Sequence, residues 1–312
     1  MLAIYCSLFY GGSETIASDE GENNAFIFNE IRFPKTLTAL LAGFCLSASG
    51  LLLQVIFRNP LAGPYVLGIS SGASLMVAIA VMASNSITWL GLEGSGRNVR
   101  MTAAILGSLV VTILILLVSK KIRSNVMLLL VGLMFAQLCG ALESAIEYFA
   151  DPGSLKSFVL WGMGSLGSTT RSDVSLFAIV SVVTLLALFG FTKSLNAFLI
   201  GENYARNIGI HYTRHRFYLI FLSSVLTGLC TAFCGPIAFV GIAVPIVSRM
   251  VFKTSNQLLH LFSGMLMGAI LLLFSDVLCH RLLPGLTLPV NMITTFTGAP
   301  LVIYLMFKTK QW

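Results

Sequence analysis

Residues 58–74, RNPLAGPYVLGISSGAS, interrupt what are otherwise two long apolar runs. Residues 36–57 before the interruption contain no charged side chain, and neither do residues 65–92, in which it ends. Each run reaches the roughly 20 residues that an α-helix needs to cross the hydrocarbon core of a bilayer. Because the two prolines and three glycines of the stretch disfavour a continuous helix, the pattern predicts two membrane-spanning helices joined by a sharp break.

The composition extends this interpretation to the whole chain. Of its 312 residues, 56% are apolar and only 10% are charged, whereas a soluble domain carries about 25% charged residues. Nine charge-free windows recur along the chain: 36–57, 65–92, 101–119, 124–142, 174–192, 217–234, 236–248, 257–275 and 286–307. The alternation of a membrane β-barrel, in segments of about 10 residues, is absent. We therefore predict an all-α, polytopic transmembrane protein rather than a soluble globule with a large core.

The amino terminus predicts an incomplete first helix. Residues 1–10 are apolar but too short to span, and they lack the basic region and small-residue cleavage site of a signal peptide. We expect them to be the remnant of a first helix, which makes about ten helices in a single transmembrane domain over residues 1–312. The polar, acidic residues 11–35 are predicted to form an external, periplasmic loop.

Charge predicts the orientation. Loops 58–64, 120–123, 193–216, 249–256 and 308–312 carry twelve Lys or Arg against one acid, a net charge of +11. Loops 11–35, 93–100, 143–173 and 276–285 carry seven against eleven, a net charge of −4. Since excess Lys and Arg mark the cytoplasmic side, the first set and the carboxy terminus are predicted to be cytoplasmic. No basic stripe interleaved with aromatic residues suggests nucleic-acid binding.

A second interruption, CGPIAFVGIAVPIVSRM at 234–250, falls on the opposite face by the charge argument. Two Gly- and Pro-broken segments in opposite halves are typical of transporters built from inverted repeats. The alternative for the first interruption is an ordinary tight turn between two helices. The candidate pathway and helix-break residues are Gln54, Arg58, Asn59, Pro60, Gly68, Gly72, Gly235, Pro236 and Pro245.

The energy source is expected to be a partner protein. The chain has no phosphate-binding G-x-x-x-x-G-K-[ST] motif and no intramembrane relay of acids and histidines. The longest cytoplasmic loop, 193–216, contains GENYARNIG, which predicts a short helix that Gly209 ends and whose Ala205 allows close packing. An ordinary amphipathic connector is the alternative. The six cysteines and the pair His211 and His215 form no metal-ligand signature, so no metal or cofactor is expected.

Five blocks in order resemble the FecCD-type permeases, the membrane subunits of ABC importers for iron-siderophores, haem and vitamin B12. They are RFPKTLTALLAGFCLSASGLLLQVIFRNPLAGPYVLGISSGAS (32–74), WGMGSLGS (161–168), GENYARNIG (201–209), GPIAFVGIAVPIVSRMV (235–251) and LPVNMITTFTGAPLVIYLM (288–306). The resemblance extends from about residue 30 to the carboxy terminus. It implies ten helices per subunit and a homodimer with the pathway along its two-fold axis.

The same resemblance implies partners and site residues. An ABC ATPase dimer would contact the cytoplasmic side, and a periplasmic or lipid-anchored substrate-binding protein would dock outside. ATP hydrolysis would then lie on the ATPase, so that this chain is a transport subunit and not an enzyme. The ATPase-coupling residues would be Gly201, Glu202, Ala205, Arg206 and Gly209, and the docking residues would be Arg32, Lys35, His280 and Arg281. Arg32 and Lys35 lie three residues apart, which predicts an exposed basic pair on one helix face. The alternative is that this pair only balances Glu30 and the acidic residues 11–22.

Some details depart from the family pattern. Lys35 replaces an arginine of the family's basic pair, and Thr287 stands where the family often has an acid. Ferric siderophore is the commonest family substrate, followed by haem and cobalamin, and the sequence does not choose among them. The competing hypothesis is an ion- or proton-coupled secondary transporter.

Overall fold

The structure, a computed structural model, describes residues 26–82, 96–122, 124–283 and 286–308. Within these ranges every regular element is helical. A π-helical turn, Phe28–Arg32, leads directly into the first α-helix. The α-helices of the described residues are α1 (Phe33–Phe57), α2 (Ile69–Met82), α3 (Arg97–Lys121), α4 (Asn125–Tyr148), α5 (Pro152–Gly162), α6 (Arg171–Phe189), α7 (Thr192–Ile200), α8 (Glu202–Asn207), α9 (Tyr212–Cys234), α10 (Val240–Phe252), α11 (Gln257–Arg281) and α12 (Val290–Lys308). The predicted helix remnant at 1–10 lies outside the described residues, as do 11–25 and 93–95 of the predicted external loops.

The apolar helices match the charge-free windows of the sequence. In the described ranges, six helices are long and apolar enough to cross a membrane by length and composition: α1 with its π-helical turn, α3, α4, α6, α9 and α11. Three shorter apolar helices, α2, α10 and α12, accompany them. Each of the nine predicted windows overlaps one of these helices. The prediction of an all-helical, polytopic chain is therefore confirmed.

Helix boundaries differ from the prediction in three places. The loop predicted to reach residue 35 is already helical at residue 26, and Pro34 is the second residue of α1, directly after the π-helical turn. The second apolar run becomes helical only at Ile69, after a series of turns. The predicted external loop 143–173 contains α5, whose amino terminus is capped by the Asp151 carboxylate accepting from the Ser154 N–H at 2.9 Å.

Helix α1 lies at the centre of the fold and packs against α6, α9, α10 and α11. In the 18-residue apolar window of α1, 83% of the residues are buried, whereas in the corresponding window of α4 only 17% are buried. The contact with α11 is close: a Cβ atom on Gly43 would lie 2.4 Å from the backbone nitrogen of Ala269. Small residues let membrane helices approach in this way, so α1 and α11 form the rigid centre of the subunit.

The two ends of the bundle differ in charge. The end at which α1 and α3 finish, here named the basic end, carries Arg58, Lys120, Lys121, Arg206, Arg214 and Lys253 among its described residues. The opposite end is named the acidic end because it carries all the described acids except Glu202, among them Glu30, Asp151, Asp173 and Asp276, which lie there among cations. There Arg97 pairs with Asp173 at 2.9 Å and Arg171 with Glu30 at 3.5 Å, which joins the starts of α1, α3 and α6.

Candidate translocation and coupling sites

The first interruption, named the basic-end break, consists of residues 58–68. Arg58 ends α1 in the left-handed conformation, with φ of 48°. The Asn59 side-chain oxygen then accepts from the Leu61 N–H at 2.9 Å, a local turn that replaces helical hydrogen bonding. Pro60, which has no N–H, follows directly. Gly68 precedes α2, and Gly72 lies within α2 against Gly107 and Val111 of α3.

Polar side chains tie the basic-end break to α10. The Gln54 amide is buried; its Nε2 donates to the Ile242 carbonyl at 3.1 Å, and its Oε1 accepts from Arg249 Nη1 at 2.9 Å. A cavity of about 620 Å³ opens beside this contact. It is lined by the four predicted residues Gln54, Arg58, Asn59 and Pro60, together with Arg249 and Gln257, which sequence reasoning did not single out.

The second interruption, named the acidic-end break, consists of residues 235–239 between α9 and α10. Backbone polar groups in and beside this break have partners in the protein. The carbonyl of Cys234, the last residue of α9, accepts from the Ser165 N–H at 2.8 Å, and the Ala238 N–H donates to the Asn291 side-chain oxygen at 3.1 Å. Irregular backbone at membrane depth requires such partners. Gly235, with φ of 74°, and Pro236 lie in this break as predicted. Pro245 does not, because α10 continues through it.

The basic-end break contacts the start of α10, two residues after the acidic-end break. Helix α10, which follows the acidic-end break, lies directly on α1 and on the basic-end break. A Cβ atom on Gly50 would lie 1.7 Å from the Gly241 carbonyl oxygen, and one on Gly241 would lie 2.8 Å from the Pro64 ring. Pro245, four residues after Gly241, has no N–H to donate to that carbonyl. Only glycine at position 50 allows this approach, which joins the two halves of the bundle.

A cleft of about 720 Å³ lies at the acidic end, between the start of α1, the end of α11 and the segments 163–167 and 287–290. Lys35 and Asp276 pair at 2.9 Å inside it, with side chains 9% and 1% exposed. His280 approaches Lys35 Nζ at 3.3 Å and contacts the Asp276 carbonyl at 2.8 Å. Arg32 and Thr287 also line this cleft.

This geometry corrects the expectation that Lys35 and Arg32 form an exposed basic pair. Lys35 points inward and is neutralised by Asp276, whereas Arg32 is half-buried and Arg281 is exposed. A shared helix face does not ensure shared exposure, because α11 covers one end of that face. The sequence does contain one signal for the missed partner, since Asp276 is the lone acid of α11 and an acid inside a membrane helix needs a partner.

The predicted coupling segment forms two short helices at the basic end. Helix α7 ends at Gly201, whose φ of 141° is available to glycine and turns the chain into α8. In α8, Ala205 is fully buried, and Glu202 pairs with Arg206 at 2.6 Å on the exposed side. Gly209, with φ of 84°, follows the helix. Outward-facing Ile200, Tyr204 and Ile208 are 59%, 43% and 51% exposed.

Helix α4 presents an exposed apolar face along its length. The face consists of Val126, Leu130, Met134, Gln137, Leu138, Ala141 and Ala145. Gln137 is the unusual member, because a polar side chain facing lipid at mid-helix is unfavourable. Nothing lies within 4 Å of a Cβ atom built on neighbouring Gly140, so the surface has room for another helix. Sequence reasoning missed this face because most of the residues around it are also apolar or small.

Comparison with known proteins agrees with this architecture. The chain matches the FecCD transport family over residues 1–308. It is 33% identical over 286 residues to the hemin transport system permease HmuU of Yersinia pestis, covering 91% of this chain and 84% of that protein. It is 35% identical over 284 residues to the vitamin B12 import system permease BtuC of Vibrio vulnificus, covering 90% and 83% respectively.

A solved structure agrees over nearly the whole fold. A metal-chelate type ABC transporter in an inward-facing conformation superimposes with a TM-score of 0.87 at 29% sequence identity, covering 99% of this chain and 96% of that chain. The broken helices, the short helix pair and the sequence relationship thus lead to one assignment. The chain belongs to the FecCD transport family and is the membrane-spanning permease subunit of an ABC importer.

Proposed function

We propose that this permease imports a ferric siderophore, or a haem or cobalamin of comparable size, across the bacterial inner membrane. ATP hydrolysis on a separate ATPase dimer drives the cycle, and this chain contributes no catalytic residue to it. The relatives named for hemin and vitamin B12 and the metal-chelate type transporter support this substrate class. The competing hypothesis, a secondary transporter, gains no support from the arrangement of the described residues.

The coupling surface is the observation that carries the proposal. Helices α7 and α8 expose apolar Ile200, Tyr204 and Ile208 at the basic end, beyond the apolar spans. Exposed apolar groups of this kind mark a protein contact. The α7–α8 turn also lies close to the basic-end break, since a Cβ atom on Gly201 would be 3.7 Å from the Arg58 guanidinium. A partner that moves these helices therefore acts close to the pathway.

The substrate-binding protein is proposed to dock at the acidic end. Lys35 is held in an internal ion pair, and the contact is assigned to the predicted residues nearer the surface, Arg32 and Arg281, with His280 behind them. Charges at the rim of an interface act mainly on the rate of encounter. Slower association of the Arg32→Glu variant with the binding protein at low salt tests this assignment, and unchanged association contradicts it.

A second copy of the chain is proposed to pack against the exposed face of α4. Gln137 and the small residues Ala141 and Ala145 suit a helix–helix contact or a polar pathway better than lipid. The exposed residues in the middle turns of α3 (106–117) and α6 (176–187) are all apolar and suit membrane lipid. The molecular mass of the purified transporter tests this proposed contact, because a complex that contains one permease copy contradicts the homodimer.

Transport by the reconstituted complex tests the substrate class. We expect vesicles that contain this permease, its ATPase and its binding protein to accumulate at least one of a ferric siderophore, hemin and cobalamin. Accumulation should require ATP and should stop with vanadate. A matched complex with an ATPase that cannot hydrolyse ATP is the control. Uptake that follows a proton gradient without ATP would instead establish the secondary transporter.

Cysteine labelling tests the orientation. On a background without native cysteines, we expect Phe149→Cys at the acidic end, where the native side chain is 85% exposed, to react with an impermeant maleimide in intact cells. Ile208→Cys at the basic end, 51% exposed natively, should react only after the membrane is opened. The carboxy terminus would then be cytoplasmic. Reaction of Ile208→Cys in intact cells would reverse the assignment.

A further inference from the structure

A buried polar network surrounds Arg216, near the start of α9, which is only 3% exposed. Its Nη2 donates to the carbonyl oxygens of Ser119 and Ile122, at 2.5 and 2.8 Å, and its Nη1 donates to the Asn125 side-chain oxygen at 3.2 Å. The carbonyls at the end of α3 have no partner within their own helix. One planar guanidinium therefore joins the end of α3, the start of α4 and α9.

The network continues to α1 and to the coupling helices. The Asn125 Nδ2 donates to the Ile56 carbonyl at 2.7 Å and to the Tyr212 hydroxyl at 3.0 Å. Ile56 lies two residues before Arg58, at the basic-end break. Tyr212 is buried, and its ring centroid lies 4.4 Å from that of Phe198 in α7. The contacts thus run without interruption from α7 through α9 and α4 to the end of α1.

We propose that Arg216 is a positioning residue that transmits movement of the coupling helices to α4 and the basic-end break. The proposal rests on the contact of α7 and α8 with the ATPase proposed above. Its physical basis is the cost of separating the partners of Arg216. A buried guanidinium that loses its acceptors keeps its charge without compensation, and the freed carbonyls lose their donors. The ends of α3, α4 and α9 consequently move together when α7 moves.

A single reporter cysteine tests the transmission. The permease–ATPase complex in lipid nanodiscs carries Leu61→Cys in the basic-end break, outside the α4 face, where the native side chain is 38% exposed, on a background without native cysteines. Maleimide labelling is measured with and without ATP and vanadate. In Arg216→Gln we expect the nucleotide-dependent change in labelling rate to fall about fivefold or more. In vesicles that also carry the binding protein, uptake per ATP hydrolysed should fall by a similar factor while hydrolysis continues.

Two further variants complete the test. Arg216→Lys should recover part of the response, because lysine keeps the charge but cannot bond several acceptors with one planar fork. Arg214→Gln removes an exposed cation two residues earlier on the same helix and should behave like the unaltered protein. A full nucleotide response in Arg216→Gln would overturn the proposal. Equal losses of uptake, hydrolysis and folded protein, with uptake per ATP unchanged, would indicate a purely structural role and also overturn it.

A different set of labelling and uptake results is expected if α7 and α8 do not contact the ATPase. In that case Leu61→Cys would show no nucleotide response even with Arg216 in place, and Ala205→Trp would retain uptake. The proposal for Arg216 would then fall together with the coupling surface. If Leu61→Cys responds normally and Arg216→Gln does not alter that response, the coupling surface stands and the role of Arg216 alone is wrong.

Discussion

Asp276→Asn is expected to lower the free energy of unfolding of the permease by about 3–5 kcal/mol, because it leaves the Lys35 ammonium buried without its counter-charge. Lys35 Nζ lies 2.9 Å from the Asp276 carboxylate, and both side chains are nearly inaccessible. His280 is a hydrogen-bonding neighbour of Lys35 but supplies no negative charge. The measurement is thermal or denaturant-induced unfolding of the purified protein in detergent.

The double variant Lys35→Met with Asp276→Leu separates the charge effect from packing. Replacing both partners with apolar side chains of similar volume removes the desolvation cost, so we expect most of the stability to return. The matched control is Arg171→Gln, which breaks the exposed pair with Glu30 and should cost only about 0.2–1 kcal/mol. If Asp276→Asn costs no more than Arg171→Gln, the buried pair does not hold α1 to α11.

Ala205→Trp is expected to reduce uptake by about 100-fold while the protein still inserts in the membrane. Ala205 lies on the inner side of α8 and is fully buried. An indole at this position must therefore push the short helix away from the bundle. Overpacking of this kind costs about 1–3 kcal/mol locally, which displaces a six-residue helix without unfolding the long ones. The measurements are the amount of permease in the membrane, ATP hydrolysis by the complex and uptake.

Two conservative variants show whether the position of α8 is what matters. Ala205→Ser adds one oxygen and should keep uptake. At Gly209, where φ is 84° and a Cβ atom would meet nothing within 4 Å, only the backbone conformation limits substitution. Gly209→Asn should be tolerated because asparagine adopts the left-handed region, and Gly209→Val should not. Normal uptake in both Ala205→Trp and Gly209→Val would remove this segment from the mechanism.

The site was only partly predictable from the sequence. The break residues Arg58, Asn59 and Pro60 and the acidic-end pair Gly235 and Pro236 are found in irregular segments, since glycine and proline act on the backbone locally. Pro245 was predicted to break a helix and does not. A proline inside a membrane helix removes one backbone hydrogen bond, and neighbouring helices can satisfy the backbone group that is freed. The sequence does not show where those neighbours lie.

The docking residues show the same limit more clearly. Arg32 and Lys35 lie three residues apart on one helix, and their spacing predicts a shared surface. Lys35 is instead buried, because α11, which ends about 245 residues later in the chain, brings Asp276 and His280 over it. Arg216 was counted only as a loop charge that sets orientation, yet it is the centre of a buried network.

The sequence by itself determined the membrane class, the number of apolar helices among the described residues, the two interrupted segments and the short helix that precedes Gly209. Each of these follows from composition over a window no longer than one helix. Tertiary structure alone decided the contact of Gly50 with Gly241, the Lys35–Asp276 pair, the Arg216 network and the exposed face of α4. The reason is that lipid-facing and protein-facing surfaces of a membrane helix are both apolar, so periodicity does not distinguish them. Which polar groups meet is set by how distant helices pack.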